Sequence, residues 1–255
     1  MVFTLPVGII PASIAISHDE SVFITTIDHR IFILDHNSIL TVGGFGVNKD
    51  GYFSGPKGIL VIRGTDNDYL LVCDYYCNRI QIFNINKKGL SFYSEWKVST
   101  PFGLAYFDGF VFVSSSTKNT IVKFNSIGSV VSSWGGVGQS HGQFKNPTGI
   151  AVSKDGIVYV CDTNNNRMQS FTSDGIHLST WENFFIKPKY IAISPTTDEI
   201  FISDDSRICV FSPEGMFDRI LVLPEEFKPG CIVFTPSGVI IISNTTSNRV
   251  VSFTP

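Results

Sequence analysis

Short apolar runs separated by turn residues recur along this chain at a nearly constant interval. Each unit opens with a proline that is followed within a few residues by an apolar run such as Gly149-Ile150-Ala151-Val152. Successive prolines are 45, 45, 46, 41 and 41 residues apart, and the six of them are Pro11, Pro56, Pro101, Pro147, Pro188 and Pro229. Short runs bounded by turn residues predict β-strands, and about 40–50 residues is the length of one four-stranded propeller blade.

A second landmark holds the same phase in every unit. The second apolar run ends at a polar residue 14 to 18 positions after the proline, namely Thr26, Asp74, Ser115, Asp162, Asp204 and Asn244. After a short turn, four units continue with Asn or Ser, then Arg, then an apolar residue: Asn78-Arg79-Ile80, Asn166-Arg167-Met168, Ser206-Arg207-Ile208 and Asn248-Arg249-Val250. Because several landmarks agree, the register of the repeat is well defined.

The fourth unit resembles a near-consensus NHL repeat. The resemblance rests on Gly135-Gly136-Val137-Gly138, Gly142-Gln143-Phe144, Pro147 to Val152, Asp155 to Asp162 and Asn166 to Phe171. The second unit is almost as similar, and the other four are degenerate but hold the same phase. The resemblance therefore covers essentially the whole chain. It implies an all-β, six-bladed β-propeller with four-stranded antiparallel blades.

The last unit is one strand short. Its third strand, Val250 to Phe253, is followed by only two residues, whereas residues 2–5 precede the first proline where an outer strand would lie. Because soluble proteins avoid long unpaired strand edges, we expect residues 2–5 to form the outer strand of the last blade and close the ring. The sequence thus predicts a single NHL-type propeller domain over residues 1–255.

Composition supports this fold and narrows the function. Hydrophobic residues make up 43% of the chain and Phe alone contributes 22 positions, which favours strands. The formal net charge is -3 and no basic run exceeds Lys87-Lys88, which weakens the case for nucleic acid. The sequence shows neither a signal-peptide pattern nor an apolar stretch of about 18 residues, so we expect a cytoplasmic protein without membrane contact.

Features that recur in phase are assigned to blade geometry. Glycine-rich segments precede both the second and the fourth unit, and neither has the sequence context of a phosphate-binding loop. Asp74 with Arg79 recurs as Asp162 with Arg167. We expect each carboxylate to cap its own turn, and the Asp and Arg to tie adjacent strands.

The sequence offers no recognisable catalytic or metal-binding set. The five histidines are scattered, and no HExxH or paired CxxC motif is present: His18, His29, His36, His141 and His177. Among NHL-like and related six-bladed propellers, a peptide-amidating lyase, streptogramin lyases and lactonases need His, carboxylate or metal ligands at the central channel. We therefore expect no enzyme activity, catalytic residue, metal or cofactor; a calcium site of channel-facing Asn and Asp oxygens remains the alternative.

Residues that differ between units are the candidates for recognition. The connections between blades share one face, and those before blades 2 and 4 are long. Phe53 and Phe144 also fit repeat positions that wedge between blades, whereas Phe184, Phe185 and Phe227 have no evident counterpart. The candidate binding residues on this face are Phe53, Tyr75, Tyr76, Trp96, Phe144, Lys145, Asn164, Asn165, Phe184, Phe185, Lys187 and Phe227.

These observations predict a non-enzymatic scaffold that binds another protein through its loop face. The first alternative is an RNA-binding domain, which the resemblance to animal NHL translational repressors implies. It requires a basic loop face, for which the chain offers Lys97, Lys118, Lys145, Arg167, Lys187, Lys189 and Lys228. The second alternative is a propeller lyase or hydrolase with a metal in the central channel.

Overall fold

The computed structural model describes residues 2–35, 38–87, 89–224 and 226–253. Within these ranges, 24 strands form six four-stranded antiparallel sheets, which confirms the predicted all-β propeller. The first three blades are β2 (Pro11–Ile16), β3 (Val22–Thr26), β4 (Arg30–Asp35), β5 (Ser38–Gly43); β6 (Pro56–Ile62), β7 (Tyr69–Asp74), β8 (Arg79–Asn86), β9 (Gly89–Lys97); and β10 (Pro101–Phe107), β11 (Phe110–Ser115), β12 (Thr120–Asn125), β13 (Val130–Gly135).

The remaining strands continue the same order from the inner to the outer edge of each blade. Blades 4 and 5 are β14 (Pro147–Val152), β15 (Val158–Asp162), β16 (Arg167–Phe171), β17 (His177–Trp181); and β18 (Pro188–Ile193), β19 (Ile200–Asp204), β20 (Arg207–Phe211), β21 (Phe217–Leu221). Blade 6 is β22 (Pro229–Phe234), β23 (Ile240–Asn244), β24 (Arg249–Phe253) and β1 (Val2–Thr4). Single 3₁₀ turns at Tyr75–Cys77 and Thr163–Asn165 follow the second strands of blades 2 and 4.

The N-terminal strand closes the ring, as the sequence predicts. β1 pairs antiparallel with β24, with Thr4 opposite Arg249. The pairing ends at residue 4, but Leu5 extends it, because its N–H donates to the Asn248 carbonyl at 2.8 Å and the Asn248 amide donates to the Leu5 carbonyl at 2.6 Å. Leu5 is buried against Ile14 in the seam between blades 6 and 1. The closing strand is therefore held by both backbone and side-chain contacts.

The core lies in the seams between neighbouring blades. Because both faces of each sheet are covered by a neighbour, the second strand of a blade reads as a continuous apolar run, and β15, β19 and β23 are buried along their whole length. The described residues form six hydrophobic clusters, one at each seam. Full burial of a Phe or Ile side chain is worth about 1.5–3 kcal/mol, so each seam contributes substantially to stability.

Three seams contain a tryptophan in the same position of the outer strand. Trp134 of blade 3 lies against the turn glycine Gly175 and the ring of Phe171, both in blade 4. Gly175 has a φ of +86°, and a Cβ there would be 2.6 Å from the indole, so both the backbone and the packing require glycine. The same arrangement recurs for Trp96 with Gly128 and Phe124, and for Trp181 with Gly215 and Phe211.

One face of the disc carries the connections between blades together with the turns between second and third strands. We call it the inter-blade face. The inner strand of every blade starts at its proline on this face, so the residues that flank the prolines surround one end of the central channel. The opposite face carries the remaining turns.

Candidate functional site

The two long inter-blade segments, 43–56 and 135–147, are each fastened by three side chains of the blade that follows. In blade 2, the buried carboxylate of Asp74 accepts the Ser54 N–H at 2.7 Å and the Arg79 Nε at 2.9 Å. Gln81 donates to the same carboxylate at 3.2 Å and to the Tyr52 carbonyl at 2.7 Å. Arg79 also donates to the Tyr52 carbonyl at 3.2 Å, so the segment is held at several points.

Blade 4 repeats this anchor atom for atom. Asp162 accepts the Lys145 N–H at 2.7 Å, the Arg167 Nε at 2.8 Å and the Gln169 Nε2 at 3.1 Å, and Gln169 donates to the Gln143 carbonyl at 2.7 Å. The predicted Asp–Arg tie between adjacent strands is confirmed. The predicted capping is wrong, since neither 3₁₀ turn has a side-chain cap and the carboxylate holds the incoming segment instead.

Burial removes four of the candidate aromatic residues from the surface. Each is packed in a seam: Phe53, Phe144, Phe185 and Phe227 are 0%, 0%, 8% and 6% exposed. Phe185 precedes its proline by three residues, as Phe53 and Phe144 do, so it occupies the same repeat position. A comparison of the residues just before each proline would have identified it.

Three further candidates lie away from the centre of the face. Trp96 is half-buried against Gly128 and Phe124, so it is a seam residue. The Asn165 amide donates to the Gly138 carbonyl and to Asp162, both at 2.8 Å, and so holds the second long segment. Phe184 is exposed on the rim of blade 5, where it stacks on Phe217 at 5.9 Å. The structure does not bring these residues to one site.

The remaining candidates meet at the end of the central channel on the inter-blade face. Within the part of the chain that the structure describes, four lysines border this depression of about 590 Å³, which we call the channel mouth: Lys57, Lys187, Lys189 and Lys228. Tyr75, Tyr76 and Asn164, which the sequence proposed, line it together with Asn146, and Asp205 is the acidic residue among its lining residues. Lys145 lies just outside, exposed on the second long segment.

The mouth lysines are close enough to affect one another. Burial, then the charges of Lys57 and Lys187, lower the pKa of Lys189, and burial lowers the pKa of Lys57. The Lys189 Nζ also lies 5.9 Å from the Phe102 ring centroid and 5.5 Å from that of Tyr190. Among the described residues, none of the four ammonium groups has a salt-bridge partner. The mouth therefore gathers four ammonium groups without salt-bridge partners in the ranges that the structure describes, with the single carboxylate of Asp205 among its lining residues.

An exposed aromatic ring stands beside these charges. Tyr76 is 67% exposed and meets Tyr75 edge-on, with ring centroids 5.0 Å apart. Its ring lies over Gly55, where a Cβ would be 2.6 Å from it, so glycine is needed at this position. In blade 4 the equivalent turn position is Asn164, whose backbone N–H donates to the Lys145 carbonyl as that of Tyr76 donates to Ser54. The variable turn positions thus converge on the mouth.

The predicted basic set is only partly brought together. Lys187, Lys189 and Lys228 reach the mouth, while Lys97 pairs with Glu95 and Lys118 is exposed in the turn after β11. Arg167 is buried in the anchor and is unavailable to a ligand. Sequence reasoning missed Lys57, Asn146 and Asp205. Lys57 follows Pro56 directly, as Lys189 follows Pro188, so the residues flanking each proline were the signal.

The histidines of blade 1 do not form a common site among the described residues. His18 borders the channel end opposite the mouth, and His29 accepts the Gly55 N–H at 2.9 Å through Nδ1; His36 lies outside the described residues. Across residues 2–35, 38–87, 89–224 and 226–253, no three His, Cys, Asp or Glu side chains are grouped to hold a metal ion. In the same ranges, no helix has the length and apolarity needed to span a bilayer.

Six four-stranded blades arranged around a channel and closed by the N-terminal strand define a six-bladed β-propeller. Residues 144–171 match the NHL repeat family, and the chain is an NHL-repeat β-propeller. Protein brain tumor of Drosophila melanogaster is 26% identical over 129 residues, which are 47% of this chain and 12% of that protein. The chain thus spans a small part of the length of this relative.

Two solved structures have a similar fold over nearly their whole length. A streptogramin B lyase superposes with a TM-score of 0.69 and 17% identity, covering 99% of this chain and 96% of that one. A catalytically inactive virginiamycin B lyase from Staphylococcus aureus with quinupristin has a TM-score of 0.69 and 15% identity, covering 100% and 98%. At such identities the likeness shows the fold alone.

Proposed function

We propose that the protein is a non-enzymatic binding module whose channel mouth takes single-stranded RNA. The observation that carries this proposal is the group of mouth lysines without carboxylate partners beside an exposed tyrosine. Single-stranded nucleic acid is bound by cationic grooves that follow the phosphates and by aromatic rings on which bases stack. The whole chain has a net charge of -3, but four lysines make the channel mouth locally basic.

The mouth supplies each of the required contacts. Lys57 and Lys189 start two inner strands on the channel wall, and Lys187 and Lys228 come just before inner strands, so the ammonium groups surround one opening. Burial, then repulsion from Lys57 and Lys187, lower the pKa of Lys189, and a phosphate bound among them would offset the repulsion. Tyr76 offers a stacking surface, and the amides of Asn146 and Asn164 can bond the edges of unpaired bases.

A protein partner is the second candidate, and a different observation favours it. Phe184, Ile186 and Val222 are 49%, 57% and 97% exposed around the connections before blades 5 and 6, next to Lys187. An apolar rim beside a basic mouth fits an acidic segment that also carries apolar side chains. The scaffold function predicted from the sequence would use this rim.

A binding experiment with two ligands separates these candidates. We expect a fluorescent 12-nucleotide single-stranded RNA of random sequence to bind at 50 mM salt and to weaken at 200 mM, since lysine–phosphate contacts release counterions. Tyr76→Ala should cost about 1–3 kcal/mol of RNA affinity through lost stacking. Tyr93→Ala removes a tyrosine of similar exposure from the outer strand of blade 2 and should leave affinity unchanged.

The outcomes are distinct. RNA that is not retained at 50 mM salt contradicts the RNA proposal. Binding of an acidic, apolar peptide in its place, sensitive to Phe184→Ala, would establish the protein-binding alternative. Equal losses from Tyr76→Ala and Tyr93→Ala would show that RNA binds somewhere other than the mouth.

A further inference from the structure

Two histidines of blade 4 face a single hydroxyl group. His141 comes from the second long inter-blade segment, and His177 and Thr180 lie on the outer strand β17. The Thr180 Oγ1 is 2.8 Å from the His141 Nδ1 and 2.8 Å from the His177 Nε2. The imidazole centroids are 4.9 Å apart with an interplanar angle of 38°. Two ring nitrogens from separate elements therefore converge on one oxygen.

The hydrogen bonds of this trio exclude two charged imidazoles. The hydroxyl has one hydrogen, so it donates to one ring and must accept an N–H from the other. Charging both rings would place two cations 4.9 Å apart and leave the hydroxyl able to donate to neither. The pair therefore does not carry two positive charges while this hydrogen-bonded arrangement holds.

Neutral imidazoles that converge are the preferred ligands of borderline transition-metal dications. The two nitrogens cannot be more than about 5.6 Å apart, because each is 2.8 Å from the same oxygen. A shared metal with bonds of about 2.0–2.1 Å needs them within about 4.2 Å. His141 is exposed on a connecting segment, so its side chain can make this small adjustment while His177 stays packed against Phe171.

We propose that His141 and His177 form a binding site for Cu²⁺, Ni²⁺ or Zn²⁺. The His141 Nδ1 and the His177 Nε2 are the ligands. The ring that donates an N–H to Thr180 without metal must move this proton to its other nitrogen, so that with metal bound both rings carry their proton on the nitrogen that faces away. The Thr180 hydroxyl borders the metal and water completes its coordination. Glu182, the acidic residue next to this strand, is engaged by Arg167 at 3.3 Å, so the two imidazoles define the selectivity.

Two consequences follow from this ligand set. Cu²⁺ should bind most tightly, ahead of Ni²⁺ and Zn²⁺, while Mg²⁺ and Ca²⁺, which prefer oxygen ligands, should not bind. A bound metal would also connect the segment 135–147 directly to β17, adding a cross-link outside the Asp162 anchor. This site is independent of the channel mouth, so its test does not depend on RNA binding.

The test is metal titration of tag-free protein at neutral pH by calorimetry, together with thermal unfolding. We expect Cu²⁺, Ni²⁺ and Zn²⁺ to bind and to raise Tm, and Mg²⁺ to do neither. His141→Ala and His177→Gln should each weaken binding by at least about tenfold, since each removes a ligand. His18→Ala removes an exposed histidine on the opposite face and should change nothing.

Electron paramagnetic resonance of bound Cu²⁺ provides the second measurement. Two coordinated imidazoles should be seen in the wild-type protein and one in either variant, whose folding is checked by circular dichroism. Equal affinity in wild type, His141→Ala and His177→Gln would overturn the proposal, as would the absence of binding in wild type. A spectrum with one imidazole in the wild-type protein would also overturn it.

Discussion

The anchors of the long inter-blade segments and the channel mouth lie on the same face, but they use charge in opposite ways. In the anchors, Asp162 and Arg167 are buried and every charge is met by a partner within the blade. At the mouth, lysines from different blades meet without a carboxylate partner in the described chain. The anchors tie each long segment to the blade that follows, whereas the mouth lysines belong to several blades and meet only in the closed ring. Charges with buried partners here serve the fold, and charges without partners are left for a ligand.

The physical reason is the cost of desolvation. A buried ion pair is tolerated only when geometry and extra hydrogen bonds offset the loss of hydration, so its partners must be retained together. The mouth lysines are only partly desolvated, so their ammonium groups tolerate the absence of a carboxylate partner. Substitutions should therefore affect stability at the anchors and binding at the mouth.

The largest expected effect is the loss of an anchor. Arg167→Ala leaves the carboxylate of Asp162 buried without its cation and should lower the free energy of unfolding by about 3–5 kcal/mol. Glu182→Gln is the matched control, since it removes only the half-exposed partner of the same guanidinium and should cost less than about 1 kcal/mol. Urea unfolding followed by fluorescence measures both. Similar losses in the two variants would contradict the anchor interpretation.

A recurring glycine should show the next largest effect. Gly175→Ala forces a Cβ into the Trp134 ring at a φ of +86°, and it should cost about 1–3 kcal/mol. Gly142→Ala has a similar φ of +79° but open space around the Cβ, so it isolates the backbone strain. The difference between the two in thermal unfolding reports the seam contact itself. Equal losses of stability in the two variants would mean that the Trp134 side chain moves aside without an energetic penalty.

Charge reversal at the mouth should change binding and leave stability intact. Lys187→Glu with Lys189→Glu should weaken RNA binding at 50 mM salt by at least about tenfold. Lys87→Glu with Lys154→Glu makes the same change in net charge on the opposite face, and we expect it to preserve the affinity. Fluorescence anisotropy compares them, with unfolding curves recorded in parallel. If the two double variants lose the same affinity, net charge rather than the mouth governs binding.

The smallest effect concerns protonation. The folded-state pKa of Lys189 lies below its ordinary value of 10.5, so the unfolded chain binds this proton more tightly. The protonated form of Lys189 therefore lowers the free energy of unfolding at neutral pH. This destabilisation decreases as the pH rises through the folded-state pKa. Lys187→Met removes one source of repulsion and should raise the pKa of Lys189, measured by NMR titration of its side chain. A pKa that does not move would show that burial and the charge of Lys57, and not the charge of Lys187, are responsible.

The repeat landmarks were sufficient to predict the fold because each reflects a local requirement. The inner strand of each blade begins at its proline. The last unit lacks a fourth strand after β24, and this absence identifies the N-terminal residues as the closing strand. The site was harder to predict because Lys57 and Lys228 are far apart in sequence and meet only when the ring closes. Phe185 was misplaced for a different reason: the expectation that it has no counterpart in the other units is wrong, because its distance from Pro188 matches that of Phe53 and Phe144 from their prolines.

The seam tryptophans divide the ring into two mechanically different arcs. They occupy the three consecutive seams from blade 2 to blade 5, whereas the same position holds Val42 in blade 1 and Leu221 in blade 5. Smaller side chains contact the neighbouring blade less extensively. We therefore expect blades 2 to 5 to form a stiff arc, and the seams between blades 1 and 2 and between blades 5 and 6 to be more compliant. Lys57 lies at the start of blade 2 beside one compliant seam, and Lys228 precedes blade 6 beside the other, whereas Lys187 precedes blade 5 at a tryptophan seam. Small opening motions at these seams would change the spacing between the cations, which allows the mouth to adjust its width to the ligand that it binds.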